Sequence, residues 1–397
     1  MSSLDASSPF RLNIPRFFVY SAFKSFGFGL FLAVWVVFLQ RERGLNLTQA
    51  AVLDVTFFVA AALAEVPTGL VADRAGRRTS VIIGMALLGV GTLAWVLAPT
   101  LPLIMMAYIS MGIGVTFLSG AEDALFYESM RRGGRATDYT RLVGRVGATM
   151  TGALALGSLA GGLVASRSLL LPFILAGVSY LLAMGVALTF HEPWEPADGQ
   201  SRPSLRAALG QALSVLRDHP RLRAPLVYLA VVPLAALLLE TLFVQPQALA
   251  LGLPVAAVGV LVMALQLVNV AGSAWSDLIG RRVGMRVVLG VVPATVAVIL
   301  ILLAASQSLL AVVWIAAISF CTAIVRPLVL GRLQDQIEDG VRATVLSLQS
   351  LLGTALVAVA QPSLGWVADH SGLPAVYLML AGVLVVALLF WRLLNPT

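Results

Sequence analysis

The chain has 397 residues, of which 59% are hydrophobic and only 11% charged, with a formal net charge of +7. A soluble domain of average composition carries about 25% charged residues, so a water-covered surface cannot be built from this chain, and a secreted, nuclear or cytosolic enzyme is excluded. One cysteine, Cys321, rules out a disulfide framework and any multi-cysteine metal site.

A bilayer-spanning helix needs about 20 mainly apolar residues. Charges and turn residues cut the chain into twelve such stretches: 16–40, 49–72, 79–98, 102–127, 143–165, 169–190, 225–246, 255–276, 286–305, 308–331, 343–367 and 373–391. Thr79 to Ala121 carries no charge at all, and Ala98-Pro99-Thr100-Leu101-Pro102 supplies the turn that makes it a hairpin. The first 15 residues are polar and the first apolar segment is too long for the core of a cleaved leader. Midway, His191 to Ala224 is hydrophilic. There Leu205, Leu209, Leu213 and Leu216 repeat at near-helical spacing beside Arg206 and Arg217, which predicts an interfacial helix. The expected fold is therefore an all-α membrane protein of twelve transmembrane helices in two pseudo-symmetric halves, 1–190 and 225–397, joined by a central cytoplasmic loop, 191–224.

Orientation follows from the positive residues. Arg11, Arg16, Arg74, Arg77, Arg78, Arg131, Arg132, Arg281 and Arg282 share one side with most other arginines, while Arg41, Arg43 and Arg167 fall on the other. The positive-inside rule then places both termini in the cytoplasm. The excess charge is an orientation signal facing anionic lipid, and nucleic acid is not an expected partner.

The two halves repeat a signature. Gly69-Leu-Val-Ala-Asp73-Arg-Ala-Gly76-Arg77-Arg78 follows span 2, and Ser273-Ala-Trp-Ser-Asp277-Leu-Ile-Gly280-Arg281-Arg282 follows span 8, 204 residues later. Internal repeats of this size mark secondary transporters, whose substrate sites lie near the midplane between repeats. Here the sequence resembles the major facilitator superfamily. The first copy is similar to that family's loop signature G-x-x-x-D-x-x-G-R-[RK], and Ser119 to Glu128 and Arg342-Ala343-Thr344 look like its bacterial efflux-type members. The resemblance implies a cytoplasmic gate in which Asp73 caps the start of span 11 near Ala343 and Thr344, Arg77 bridges to Glu128, and Arg342 belongs to the same gate. Gly69, Gly76, Arg78, Asp277 and Arg281 belong to the same signature. In Gly157-Ser158-Leu-Ala-Gly161-Gly162, Ser158 stands where the family's antiporter signature has proline.

Charged residues at bilayer depth default to functional hypotheses. Lys24, the only lysine, lies eight residues past Arg16, about 12 Å deep at 1.5 Å per residue, and Glu122 or Asp123 is its expected partner. These two adjacent acids are about 100° apart on a helix and cannot face the same way. Arg326 follows Glu122 by the offset of the repeated signature and either balances the acids or binds an anionic substrate group. Asp54 and Glu240 lie in the outer halves of their spans and are candidate proton acceptors. Glu65, before Pro67, reads as structural. The tryptophans at 35, 95, 314 and 366 sit near outer span ends, as in an interfacial belt.

His191, His219 and His370 fall in or beside predicted loops, and G-x-x-x-x-G-K-[ST] is absent, so neither intramembrane enzyme chemistry nor ATP drive is expected. The reading is a secondary active transporter with no cofactor beyond a proton gradient. By the resemblance it exports amphipathic or drug-like molecules in exchange for protons, by rocker-switch alternating access. The alternative is proton-coupled uptake of a small polar or anionic solute, with Lys24 and Arg326 as the anion-binding cations. The expected partners are a small-molecule substrate, protons and membrane lipids, and the expected setting is a monomer in the bacterial inner membrane.

Overall fold

In hydrocarbon no water is available to bond a free N–H or C=O, so an apolar segment of this length satisfies its backbone by closing into a helix. The computed structural model describes residues 9–193, 217, 223–306, 308–336 and 342–394, and among these no strand occurs. In chain order the helices are α1 (Asn13–Arg41), α2 (Leu47–Ala75), α3 (Arg77–Leu97), α4 (Leu101–Leu118), α5 (Ala121–Arg132), α6 (Tyr139–Ala165) and α7 (Leu171–Ala187). They continue as α8 (Arg223–Leu238), α9 (Val244–Ala250), α10 (Val255–Val283), α11 (Met285–Ala305), α12 (Leu310–Gln336) and α13 (Arg342–Leu394). A π-helical turn, Leu239–Phe243, joins α8 to α9. The interfacial helix expected over 205–216 lies outside the described residues.

Among the described residues, ten helical stretches are long and apolar enough to cross a membrane, and Leu171–Ala187 is a shorter apolar helix. Large apolar side chains stand on the surface, with Val359 70%, Leu63 69% and Leu97 67% exposed. A surface of this kind is stable against lipid and not against water. The chain is a multi-pass membrane protein.

The structure differs from the sequence reading at two breaks. The stretch expected as one span over 102–127 is two helices, because the chain turns at Ser119 and Gly120, where Gly120 has φ 70°. Restarting there puts Glu122 and Asp123 in the first turn of α5, where the helix dipole favours acids. The span expected over 225–246 is interrupted by the π-helical turn. The stretches expected as 343–367 and 373–391 are separated where the sequence reading put the gap, by a kink within α13 at Gly372, with φ 80° and ψ 167°. Trp95 and Trp35 are also not belt residues. They are 0% and 3% exposed, and Trp95 packs among Phe31, Phe38, Tyr108 and Phe173 at centroid distances of 4.7 to 5.8 Å. That aromatic packing outweighs an interfacial position.

Two compact units form: Met1–Phe38, Leu53–Arg202 and Pro254–Met263 make the first, and Leu39–Val52, Pro203–Leu253 and Ala264–Thr397 the second. In the first, α3 packs against α4 and α7. Helices α1 and α6 meet backbone to backbone: a Cβ on Gly29 would lie 2.2 Å from the Leu154 carbonyl oxygen, and one on Gly157 2.2 Å from that of Phe26. Without a hydrophobic drive in lipid, such close approach of small residues is what holds helices together. In the second unit, α11 packs against α12 and α13, and α8 against the same two. The Tyr228 hydroxyl ties α8 to α11 by donating to the Leu289 carbonyl at 2.7 Å.

Gly157→Val is expected to lower the melting temperature of the purified protein sharply or to abolish folding. Gly152→Val, on the same helix with open space around it, should leave the melting curve near that of the parent.

Candidate functional site

In the first unit α1 presents Tyr20 and Lys24, four residues apart and hence on one helix face. The Lys24 ammonium donates to Oε2 of Glu122 and the Tyr20 hydroxyl to its Oε1. The ammonium also lies 5.6 Å from the centroid of the Tyr20 ring, a cation–π distance. The Lys24 and Glu122 side chains are only 18% and 14% exposed, and Phe17, Phe126 and Phe190 pack beside Tyr20. Glu122 therefore meets Lys24, while Asp123, one position on, is exposed. The break at Gly120 is what lets α5 offer Glu122 at this place. Paired in this way, Lys24 and Glu122 form a neutral unit that also holds a phenol proton.

The signature end of this unit is built from backbone caps. Gly76 has φ 93°, and a Cβ there would lie 2.6 Å from Oε2 of Glu192. That carboxylate accepts the Arg78 backbone N–H at 2.8 Å, and the Arg78 guanidinium donates to the Leu188 carbonyl at 2.6 Å. Arg16 donates to the Thr189 carbonyl at 2.6 Å and lies 3.2 Å from Nδ1 of His191. Asn13 bonds Ser129 Oγ and the His191 backbone, each at 2.8 Å. Glu192 was not singled out from the sequence. Its signal was slight: an acid two residues past an apolar span, with nothing to show that the loop folds back onto Gly76.

Glu128, expected opposite Arg77, is bound by Arg131 and Arg132 of its own helix. Asp73 is exposed and shares a small recess with Gly69, Arg77, Thr116 and Ala121. In the second copy of the signature Arg281 Nε donates to Asp277 Oδ1 at 2.9 Å, with both side chains more than 70% exposed. Arg342 opens α13, and its side chain lies outside the described residues. Asp54, in α2, is half-buried, and Glu65 is exposed.

The second unit holds a different cluster. Glu240 lies in the π-helical turn, a distortion that recurs at functional sites because it re-aims a side chain. Both carboxylate oxygens accept from Asn269 Nδ2, at 3.1 and 2.9 Å, and the buried Ser319 lies beside the same carboxylate. Glu240 is partly buried, and among the described residues no ion pair reaches it. Close by in sequence, Gln247 accepts from the Tyr377 hydroxyl at 2.7 Å, and Gln245 is fully buried. Arg326, before Pro327 in α12, is exposed.

The sequence profile described as Major Facilitator Superfamily matches residues 17–362. Among solved structures, the chain resembles the nucleoside transporter NupG, with a TM-score of 0.81 at 12% identity, covering 97% of this chain and 99% of that one. It also resembles a D-xylose-proton symporter, with a TM-score of 0.71 at 14% identity, covering 97% and 98%. A bacterial homolog of the human lysosomal transporter Spinster gives 0.71 at 16% identity, covering 98% and 97%. At such identities the likeness concerns the fold.

Lys24→Ala is expected to cost on the order of 2 kcal/mol, because it leaves the Glu122 carboxylate desolvated without its cation. The double variant Lys24→Met with Glu122→Gln should recover most of that loss. Thermal unfolding of the three proteins in one detergent checks both statements.

Proposed function

Since the chain belongs to the Major Facilitator Superfamily, we propose that this transporter is a proton-coupled secondary carrier in which Glu240 is the group that takes and releases the coupling proton. The observation that carries the reading is the setting of Glu240: a partly buried acid held by an uncharged amide, Asn269, with no cation on it among the described residues. An isolated carboxylate away from water is costly. Either a proton or a cationic substrate relieves that cost, and a site that accepts one or the other, not both, exchanges them.

This favours proton-driven export of cationic, amphipathic or drug-like molecules. Uptake of an anionic solute has less support, since Lys24, one of the two cations it would use, is already neutralised by Glu122. A second reading draws on the transporters of similar fold, which include a nucleoside transporter and a D-xylose-proton symporter. It is symport of a neutral polar solute, whose hydroxyl groups would bond Asn269, Gln247 and Tyr377 while Glu240 carries the proton.

The proposed topology has twelve crossings. Among the described residues ten stretches have the length and apolarity required, and the shorter Leu171–Ala187 is taken as an eleventh. The stretch Leu348–Leu389 has 42 residues, about 63 Å at 1.5 Å per residue, twice the thickness of a hydrocarbon core, and so provides two crossings hinged at Gly372. The arginine bias sets both termini in the cytoplasm of a bacterial inner membrane. Asp73, Arg77 and Arg78 then lie on the cytoplasmic side, where they act as a gate in rocker-switch alternating access, with Asp54 a further proton acceptor from outside.

Proteoliposomes with an imposed pH gradient test the reading, using tetraphenylphosphonium as cation and uridine and xylose as neutral solutes. Movement against the proton flow marks antiport and movement with it marks symport. Glu240→Gln is expected to reduce gradient-driven accumulation by about tenfold or more, to weaken counterflow of a cation, which loses its carboxylate partner, and to leave counterflow of a neutral solute in place. Gradient-driven accumulation equal to that of the parent would remove Glu240 from the mechanism.

A further inference from the structure

The pattern that ends α2, Gly69-Leu-Val-Ala-Asp73-Arg-Ala-Gly76, returns inside α13 as Gly365-Trp-Val-Ala-Asp369-His-Ser-Gly372. Both closing glycines have positive φ, 93° and 80°. Asp369 is not idle. Its Oδ1 accepts the Leu47 backbone N–H at 3.0 Å, and its Oδ2 accepts the Thr48 N–H at 2.9 Å and the Thr48 hydroxyl at 2.6 Å.

These bonds complete the start of α2. The first four N–H groups of a helix have no partner within it. Gln49 N–H donates to Asn46 Oδ1 at 2.8 Å and Ala50 N–H to the Asn46 carbonyl at 3.0 Å. Gln49 Oε1 in return accepts the Asn46 N–H at 3.1 Å, which closes a reciprocal capping box. The remaining two N–H groups, of Leu47 and Thr48, are satisfied from another helix more than 300 residues away. Gly365 makes the approach possible, since a Cβ there would lie 2.9 Å from the Leu47 carbonyl oxygen and 3.0 Å from Thr48 Cα. The contact is internal to the second unit, which contains Leu39–Val52, whereas α2 from Leu53 onward belongs to the first. In α6, a related run, Gly162-Leu-Val-Ala-Ser166-Arg167, has serine in the aspartate position. The Ser166 hydroxyl bonds back to the Leu163 carbonyl at 2.6 Å, so that copy supplies no carboxylate.

We propose that Asp369 is a gating residue of the transport cycle, holding the start of α2 against α13 in one state and releasing it in another. The chemistry suits a reversible contact. A carboxylate and helix-start N–H groups bond strongly when joined, yet water can take over all their bonds when they part, whereas an orphaned buried group would have no such replacement. The signature's established place in the family is at the far end of α2, so the same geometry, turned around, serves the near end.

The proposal rests on the chain working as a carrier, but its test needs no substrate, so its failure is separate from failure of the Glu240 reading. Spin labels are placed by Glu42→Cys and Ser371→Cys in a Cys321→Ser background, and distances are read by double electron–electron resonance in lipid nanodiscs. The parent is expected to show a short-distance population. Asp369→Ala should lower its share relative to longer distances by about tenfold, and Asp369→Asn, which keeps one acceptor oxygen, should fall between. Gly365→Ala, with the carboxylate intact, should shift in the same direction and decides the matter if Asp369→Ala does not fold. Asp138→Ala, which removes a half-buried acid that ends a 3-10 turn in the first unit and pairs only locally with Arg135, should match the parent. A parent without the short distance, unchanged distributions in the Asp369 and Gly365 variants, or an equal shift in Asp138→Ala would each overturn the proposal.

Discussion

The absence of water in the hydrocarbon layer governs this molecule. A polar or charged group there has only protein to bond, and an unmatched one costs several kcal/mol. The helices answer that constraint for the backbone, and the few charged side chains at depth answer it in different ways. Lys24 is matched by Glu122, which also takes the Tyr20 hydroxyl, so charge and hydrogen bond are closed within one small cluster. Glu240 is matched only in part, by an amide that offers hydrogen bonds and no charge. The first arrangement is a completed structure. The second carries no matching charge among the described residues, and the proposed proton site rests on that difference.

Where helices break follows the same logic. Gly120 interrupts one span and the π-helical turn another, and each break is next to an acid: Glu122 in the first turn of α5, and Glu240 within the turn itself. Irregular backbone at membrane depth is tolerated where it serves a binding or ion site. In the first unit, the backbone-to-backbone contacts of Gly29 and Gly157 and the aromatic cluster around Trp95 supply the rigid setting for the break at Gly120.

Much of this was legible in the residues themselves. Long apolar stretches, the repeated D-x-x-G-R-R and the isolated charges Lys24, Glu122 and Glu240 are patterns that composition and spacing reveal, because lipid punishes any charge without purpose. Less visible was whatever depends on a turn between helices or on contacts far apart in sequence. Gly120 has no proline beside it to mark a stop, and Glu122 and Asp123 just after it read as charges within a span rather than as a helix start. Glu192 reaches Gly76 and Arg78 only through the folding of a loop. Glu128 stands beside two arginines of its own helix, and proximity along the chain won over the more distant Arg77. Asp369 reads as one more loop acid until the start of α2 is found against it.

The central claim is that one acid site exchanges a proton for substrate charge, and proton counting on binding tests it most directly. Purified transporter in weakly buffered solution is titrated with tetraphenylphosphonium while pH is followed. The account predicts release of about one proton per bound cation near neutral pH, and none from Glu240→Gln. Binding with no proton release in the parent, or release undiminished in Glu240→Gln, would contradict it.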